Sequence, residues 1–509
     1  MSPEKAIDAT EPVHGGDPGA LPTLTPVSTG KEKDAHFEVE HDDSPNINHV
    51  QSLGIPDWEL MQKKIVKRLD MTLLPQLWIL YMFNYLNRVN IAQARLNTFN
   101  EDLNLKDGDY QTAVAILTVG YMLAQLPSNM LITRVQPATY LPTVALLWSA
   151  VSAATAACTN AGGLFAVQFI LGIIEAPLFP GAVFLMSCWY TRAELALRTA
   201  LLYSGLVLAQ AFSGLIAAGV FAGLDGSLGL KGWQWLFILE GAGSALFALT
   251  AFFVLPNYPH STKGGAMWSM TDDMRKLAVA RILDDRVETS SNSSVLYGLK
   301  LAVTDVKCYI FIFMNIFITS SYGFNNFFPT MVNGFGLGSR ITSLLLTAPP
   351  YILGTAVSFF VAWNSDRMRE RGFHIMINLG CSITGFIVTV ATANTAARYT
   401  AAFLYTSGSF SANALVYTWA VSTLGQTPEK RAAGGAIVNI CGHIGNIISP
   451  YFFPDRDAPR YTMAMLLQIG FAALALTMAG ISKVYLRKQN KKLLEVANQS
   501  GRSFNPFTT

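Results

Sequence analysis

Two ionisable side chains inside apolar segments could do chemistry, Arg88 and Glu175. Arg88 lies in "NYLNRVNI" (Asn84–Ile91), within an apolar run from Met71 to about Ala94. An arginine at the centre of a membrane helix costs about 2.5–3.5 kcal/mol on insertion scales, so its position calls for a reason. Its planar fork of N–H donors suits a carboxylate, either that of an anionic substrate or that of Glu175. At helical spacing Asn84, Asn87, Arg88 and Ile91 share a face, flanked by Tyr81 and Tyr85. Glu175 lies in "GIIEAPLFPG", where Gln168, Gly172, Glu175 and Phe179 recur on one face. Burial disfavours the charged form of a carboxyl, so such an acid can exchange a proton as a cavity opens to either side. The competing reading is a structural acid, held by hydrogen bonds near Pro177 and Pro180.

Other intramembrane polar residues are weaker candidates. Glu240 follows "WQWLFILE" near a helix end and reads as structural, and His443, with Asn439 and Asn446 at helical spacing, reads as a hydrogen-bonded core histidine. Gln210, Tyr322, Asn325, Asn326, Asn413, Tyr417 and Asn439 are candidates to line a cavity, although amides also join helices. The short charged run "WNSDRMRERG" places Asp366, Arg367 and Arg371 where they could bridge to a neighbouring helix end and hold an inner face shut.

The elements that carry these residues follow from composition. Of 509 residues 51% are hydrophobic and 14% charged, against about 25% charged in soluble domains, which marks an all-α membrane protein. Windows of about 20 apolar residues fall at 72–94, 110–132, 138–158, 163–190, 197–222, 234–255, 305–332, 340–363, 373–392, 397–420, 431–454 and 461–486. The segments that would face inward with a cytosolic N-terminus hold most of the Lys and Arg, from Lys63–Arg68 through Lys483–Lys492. Both termini are therefore expected in the cytosol. Residues 1–60 are expected to be a disordered acidic tail and 61–255 a six-helix half. Residues 256–304 read as a cytosolic linker in which "MTDDMRKLAVARILDDR" forms an amphipathic helix, 305–487 as a second six-helix half, and 488–509 as a cytosolic tail. Two such halves are the layout of a transporter whose site lies between them.

Several classes are excluded or disfavoured. No GxxxxGK[ST] sequence occurs, so ATP hydrolysis is not expected, and no nucleophile–base, zinc or dinucleotide constellation suggests an enzyme. The five cysteines form no CxxC pair, so neither metal nor cofactor is expected.

"LYMFNYLNRVNIAQA", "FILGIIEAPLFPG", "SCWYTRAELALRTA" and "GWQWLFILEG" together resemble the anion:cation symporter family of the major facilitator superfamily. The resemblance runs from about Trp58 to Arg487 and is strongest to the fungal allantoate, nicotinate and pantothenate permease-like branch. It implies proton-coupled transport of a small organic anion by alternating access. It also implies a substrate-binding Arg88, a proton-carrying Glu175, and Tyr85, Gln210 and Asn439 beside the cavity. Where that family usually has Asp-Arg on the first helix this chain has Asn87-Arg88, and where it usually has Arg-Phe before the acid this chain has Gln168-Phe169. The two changes together read as loss of a matched charge pair, after which coupling rests on Glu175 alone or has been lost. The expectation is import of a carboxylate or vitamin-like anion at the plasma membrane by a monomer whose other partners are protons and membrane lipids, with no nucleic acid. The alternatives are export of a fungal secondary metabolite and a nutrient sensor without flux.

Overall fold

The computed structural model describes residues 49–500 except 133, 262–264, 267–269, 286–294 and 426–427, together with residues 507 and 508. The expected tail therefore lies outside the described residues up to position 48. Its last dozen residues hold α1 (His49–Ser52) and the first turn of α2 (Trp58–Met71).

Among the described residues the chain is helical, with no strand. A bilayer dictates this, because a helix pairs its backbone N–H and C=O groups internally where no water can. The first half holds α3 (Leu73–Ala94), α4 (Phe99–Asp102), α5 (Asp109–Ile132), α6 (Pro137–Ala154), α7 (Ala161–Glu175), α8 (Leu178–Trp189), α9 (Arg192–Gly223) and α10 (Gly232–Val254). The connection carries α11 (Asp272–Asp284) and α12 (Val295–Val303). The second half holds α13 (Val306–Ser321), α14 (Phe328–Gly334), α15 (Arg340–Leu345), α16 (Ala348–Met368), α17 (Gly372–Ala391), α18 (Thr395–Thr423), α19 (Pro428–Ile448) and α20 (Thr462–Ser500).

All twelve apolar windows fall on helix. Ten helical spans among the described residues are long and apolar enough to cross a membrane. The remaining two windows fall on α3 and α18. These helices are long enough, but they carry polar rows, Asn84, Asn87, Arg88, Asn90 and Gln93 on α3 and Thr406, Ser407, Ser409 and Ser411 on α18. The long windows are also less continuous than expected. The 163–190 window breaks at Ala176–Pro177, where Pro177 has no N–H to donate, and the 305–332 window breaks into a 3-10 turn, Gly323–Asn326, ahead of Pro329.

The halves repeat one packing scheme. In the first, α3 packs on α9 and α10, α5 on α7, and α6 on α10; in the second, α13 packs on α19 and α20, α16 on α18, and α17 on α20. The halves meet where α9 touches α15 and α16, and where α5 touches α19. Leu246, Leu249 and Phe253 on α10 and Phe360 on α16 are exposed, as lipid-facing side chains would be. Gln93, Gln168 and Gln210 are buried.

Hydrogen bonds and ion pairs between the halves gather at one end, the end that the charge asymmetry assigns to the outside. There Arg95 pairs with Asp455 and lies over the rings of Tyr110 and Phe327. The Tyr110 hydroxyl donates to the Asn326 carbonyl at 2.9 Å, and Gln111 Nε2 donates to the Phe453 carbonyl at 2.7 Å. Phe327 stacks on Phe453 with centroids 4.3 Å apart. At the other end α11 joins the first half, where Arg281 pairs with Glu194.

Gly172 sets the closest approach within the first half. A Cβ there would press on the backbone of Leu117 and Tyr121, so α5 and α7 meet main chain to main chain. Gly172→Ala should therefore lower the thermal stability of the purified protein by overpacking, by about 1–3 kcal/mol. Gly219→Ala, where a Cβ meets nothing within 4 Å, should leave stability unchanged or raised, as measured by thermal unfolding in detergent.

Candidate functional site

The site is built on the kink of the fourth window. α7 ends at Glu175, so the carboxyl projects from the last helical turn before Pro177, and Gly172 one turn earlier draws α5 against it. From α3, Arg88 reaches across, its Nε donating to Glu175 Oε2 at 2.5 Å. The partners are unequally buried. The Glu175 side chain is 0% exposed whereas that of Arg88 retains 17%. The guanidinium also lies over the rings of Tyr85, 5.1 Å from its centroid, and Tyr121 of α5, at 4.5 Å. Asn84, one turn before Arg88, sits beside the Glu175 carboxyl, and Glu175 Oε1 has no hydrogen-bond partner.

The second half faces this pair through His443 of α19. Its ring meets Tyr121 edge-on at 5.2 Å, and its Nδ1 lies 3.3 Å from Asn446 Nδ2. Behind Arg88, Tyr81 contacts both Tyr85 and Phe179. Tyr85, Tyr203 and Tyr322, drawn from both halves, lie near one another, and Tyr85 is the ring beneath the guanidinium. A cation held by one acid in a partly open, tyrosine-walled setting can bind a second anion.

The predicted residues divide into two groups. Arg88, Glu175, Asn84 and Tyr85 come together. Asn87 does not join them, because its Nδ2 donates to Ser244 Oγ on α10 at 3.4 Å. Gln168 is buried on the α7 face that packs against α5, and no hydrogen bond joins it to Asn87 among the described residues. The two amides thus occupy different packing surfaces and do not form a pair. The Gln210 carbonyl accepts from Ser213 Oγ, and Asn325 Oδ1 accepts from the Tyr351 hydroxyl at 2.7 Å. Tyr322 packs edge-on against Phe410. Asn413 and Asn439 are half-buried on α18 and α19.

In the charged loop after α16, Arg371 reaches Asp366 at 3.4 Å and donates to Ser422 Oγ of α18 at 2.9 Å, while Arg367 lies over Trp363. These contacts stay within the second half in this conformation. The Glu370 carboxyl is pushed up by burial, but Lys483, the Phe373 N–H and His374 more than reverse this and hold it below the usual carboxylate range. The residue that sequence reasoning missed is Tyr121. A lone tyrosine in an apolar run carries no signal beyond its neighbour Gly120, whose Cβ would likewise press on α7 backbone.

A profile of the Major Facilitator Superfamily matches residues 77–450, from within α3 to the end of α19. The chain is 32% identical over 469 residues to the Major facilitator-type transporter hxnP of Emericella nidulans, with 88% of this chain and 92% of that protein covered. It is 31% identical over 442 residues to the MFS-type transporter cnsO of Penicillium expansum, covering 85% of each. Among solved structures, a bacterial homologue of the human lysosomal transporter Spinster in an inward-facing, unoccupied conformation superposes with a TM-score of 0.65 at 14% identity, covering 81% of this chain and 96% of that one. A D-xylose–proton symporter gives 0.62 at 15% identity, with 80% and 96% covered. The likeness to these two is one of fold. Sequence match, repeated halves and apolar exterior agree: the chain belongs to the Major Facilitator Superfamily and is a multi-pass membrane transporter.

Proposed function

We propose that this transporter imports a small organic anion, a carboxylate or vitamin-like acid, across the plasma membrane, coupled to protons and by alternating access. The observation that carries the reading is the lopsided ion pair. Glu175 is fully buried and occupies Nε of Arg88, while the Arg88 side chain keeps 17% of its exposure. Tyr121 lies beside the guanidinium, and no second acid pairs with Arg88 among the described residues.

Coupling follows from charge balance. With Glu175 ionised, Arg88 is already compensated and gains little from a second anion. A proton on Glu175 removes that compensation and leaves a cation in a low-dielectric setting, where it attracts a carboxylate strongly. Proton and anion therefore favour each other's binding, and by linkage the effect is reciprocal. Affinity for the anion rises as pH falls. Tyr85 and Tyr121 hold the guanidinium in place throughout. The closed outer end supports the alternating-access part of the reading, since a site sealed on one side must open there in another state.

Two experiments test this. In a host lacking related permeases, medium and cells are profiled for metabolites with wild type, Glu175→Gln and empty vector. The expected result is a carboxylate depleted from the medium by wild type and, at every pH, less by Glu175→Gln. Unchanged, pH-insensitive uptake in the variant would sink the proton role. Accumulation of a compound outside would make the protein an exporter, and binding without flux would make it a sensor. Separately, Arg88→Gln leaves a buried acid unpaired and should cost about 3–5 kcal/mol of stability near neutral pH. That cost should shrink on acidification as the carboxyl takes a proton. Glu175→Gln should cost less, because Arg88 retains solvent contact, and chemical unfolding in detergent would compare the two.

A further inference from the structure

α10 carries a second acid inside the bundle. Glu240 is 3% exposed, and neither carboxyl oxygen has a hydrogen-bond partner. The polar side chain beside it is Asn90 of α3, which is also fully buried with both its amide oxygen and its nitrogen unpartnered. The sequence suggested a structural acid near a helix end. The structure puts Glu240 two turns inside α10, beside the buried Asn90 amide and with no ion-pair partner among the described residues.

The elements packed against α10 are α3, α6, the 3-10 turn Thr155–Ala157, α9 and, at its start, α4, which carries Glu101 and Asp102. The titratable side chains of α3 are Tyr81, Tyr85 and Arg88, and Arg88 is engaged by Glu175. α6 brings Tyr140, which is bonded to Ser128, and the 3-10 turn brings none. α9 carries Arg192, Glu194 and Arg198 in its first two turns, toward the opposite end of the bundle, and Tyr203 beyond them. No cation stands beside Glu240 among the described residues. An ionised carboxylate there would have no counter-charge and only the Asn90 amide beside it, so the site accommodates the neutral acid.

The route from this acid to water is set by the outer end. α10 begins at Gly232, and there Lys231 and Trp233 Nε1 both hold Asp102 of α4. On α3, Asn90 lies between Arg88 and Arg95, and Arg95 makes the outer ion pair to Asp455. Opening the outer end would bring solvent toward Asn90 and Glu240 with the Arg88–Glu175 pair still in place. We propose that Glu240, with Asn90, is a second proton-binding site, which takes a proton from outside when the outer end opens and carries it as the neutral acid when that end closes. This goes beyond the function proposed above and does not depend on Glu175.

The test is infrared difference spectroscopy on the purified full chain, wild type minus Glu240→Gln, which isolates this one carboxyl. Near neutral pH the difference should show the carbonyl stretch of a protonated carboxylic acid and no carboxylate band. With Arg95→Ala added to both proteins to release the outer end, the acid band should be lost on raising pH and return on acidification. A carboxylate band near neutral pH would overturn the proposal. So would an acid band that ignores pH in the Arg95→Ala protein, since it would mark a permanently sealed structural acid. Should Glu240→Gln fail to fold, wild type minus Asn90→Ala serves: removing the neighbouring amide should shift the acid band, and no shift would contradict the site.

Discussion

The placement of one cation governs much of this structure. Arg88 is tolerable inside the bundle because Glu175 reaches it, and Glu175 reaches it because α7 ends there, ahead of Pro177. The close approach of α5 and α7 at Gly172 then brings Tyr121 over the guanidinium. Each step is a packing requirement with an electrostatic result. Unpaired, either charge would weigh heavily against a fold of this kind, whose margin is small compared with the desolvation of a buried ion.

The same pair joins chemistry to motion. Its first-half partners are fixed by α3, α5 and α7, whereas His443 approaches Tyr121 from the second half. A change in how the halves meet would therefore alter the surroundings of Arg88. The contacts between the halves at the outer end include Arg95 with Asp455, Tyr110 with Asn326, Gln111 with Phe453, and Thr112 with Tyr451. They lie beside an apolar seam in which Leu344 packs with Ala217, Ala218, Val220 and Phe221, so opening that end must expose apolar surface as well.

Much of the fold was legible in the sequence because bilayer thickness and backbone pairing leave few options for an apolar chain. The twelve windows, a helix in the connection and the pairing of Arg88 with a face containing Asn84 and Tyr85 all follow from periodicity. The break beside Glu175 is marked in the sequence by Pro177 itself, whereas the 3-10 turn at Gly323–Asn326 was harder to read because hydropathy does not register a change of backbone geometry. The site was legible where charge is rare and illegible where amides are common. Asn87, Gln210 and Asn325 have side-chain types that line cavities and join helices alike, and each makes a helix-joining or local bond here or, for Gln210, lies buried beside one. The depth of Glu240 was illegible because it depends on where α10 starts, and its surroundings on how α3 and α10 pack.

The claim at the centre of this account is that a proton on Glu175 and an anion on Arg88 bind together. It is tested most directly by proton counting. The carboxylate identified by metabolite profiling is added to purified protein in weakly buffered detergent solution near neutral pH, and the pH change is recorded for wild type and Glu175→Gln. The account predicts proton uptake on binding to wild type and none on binding to the variant. Binding to wild type with no proton taken up, or equal uptake by both proteins, would contradict it.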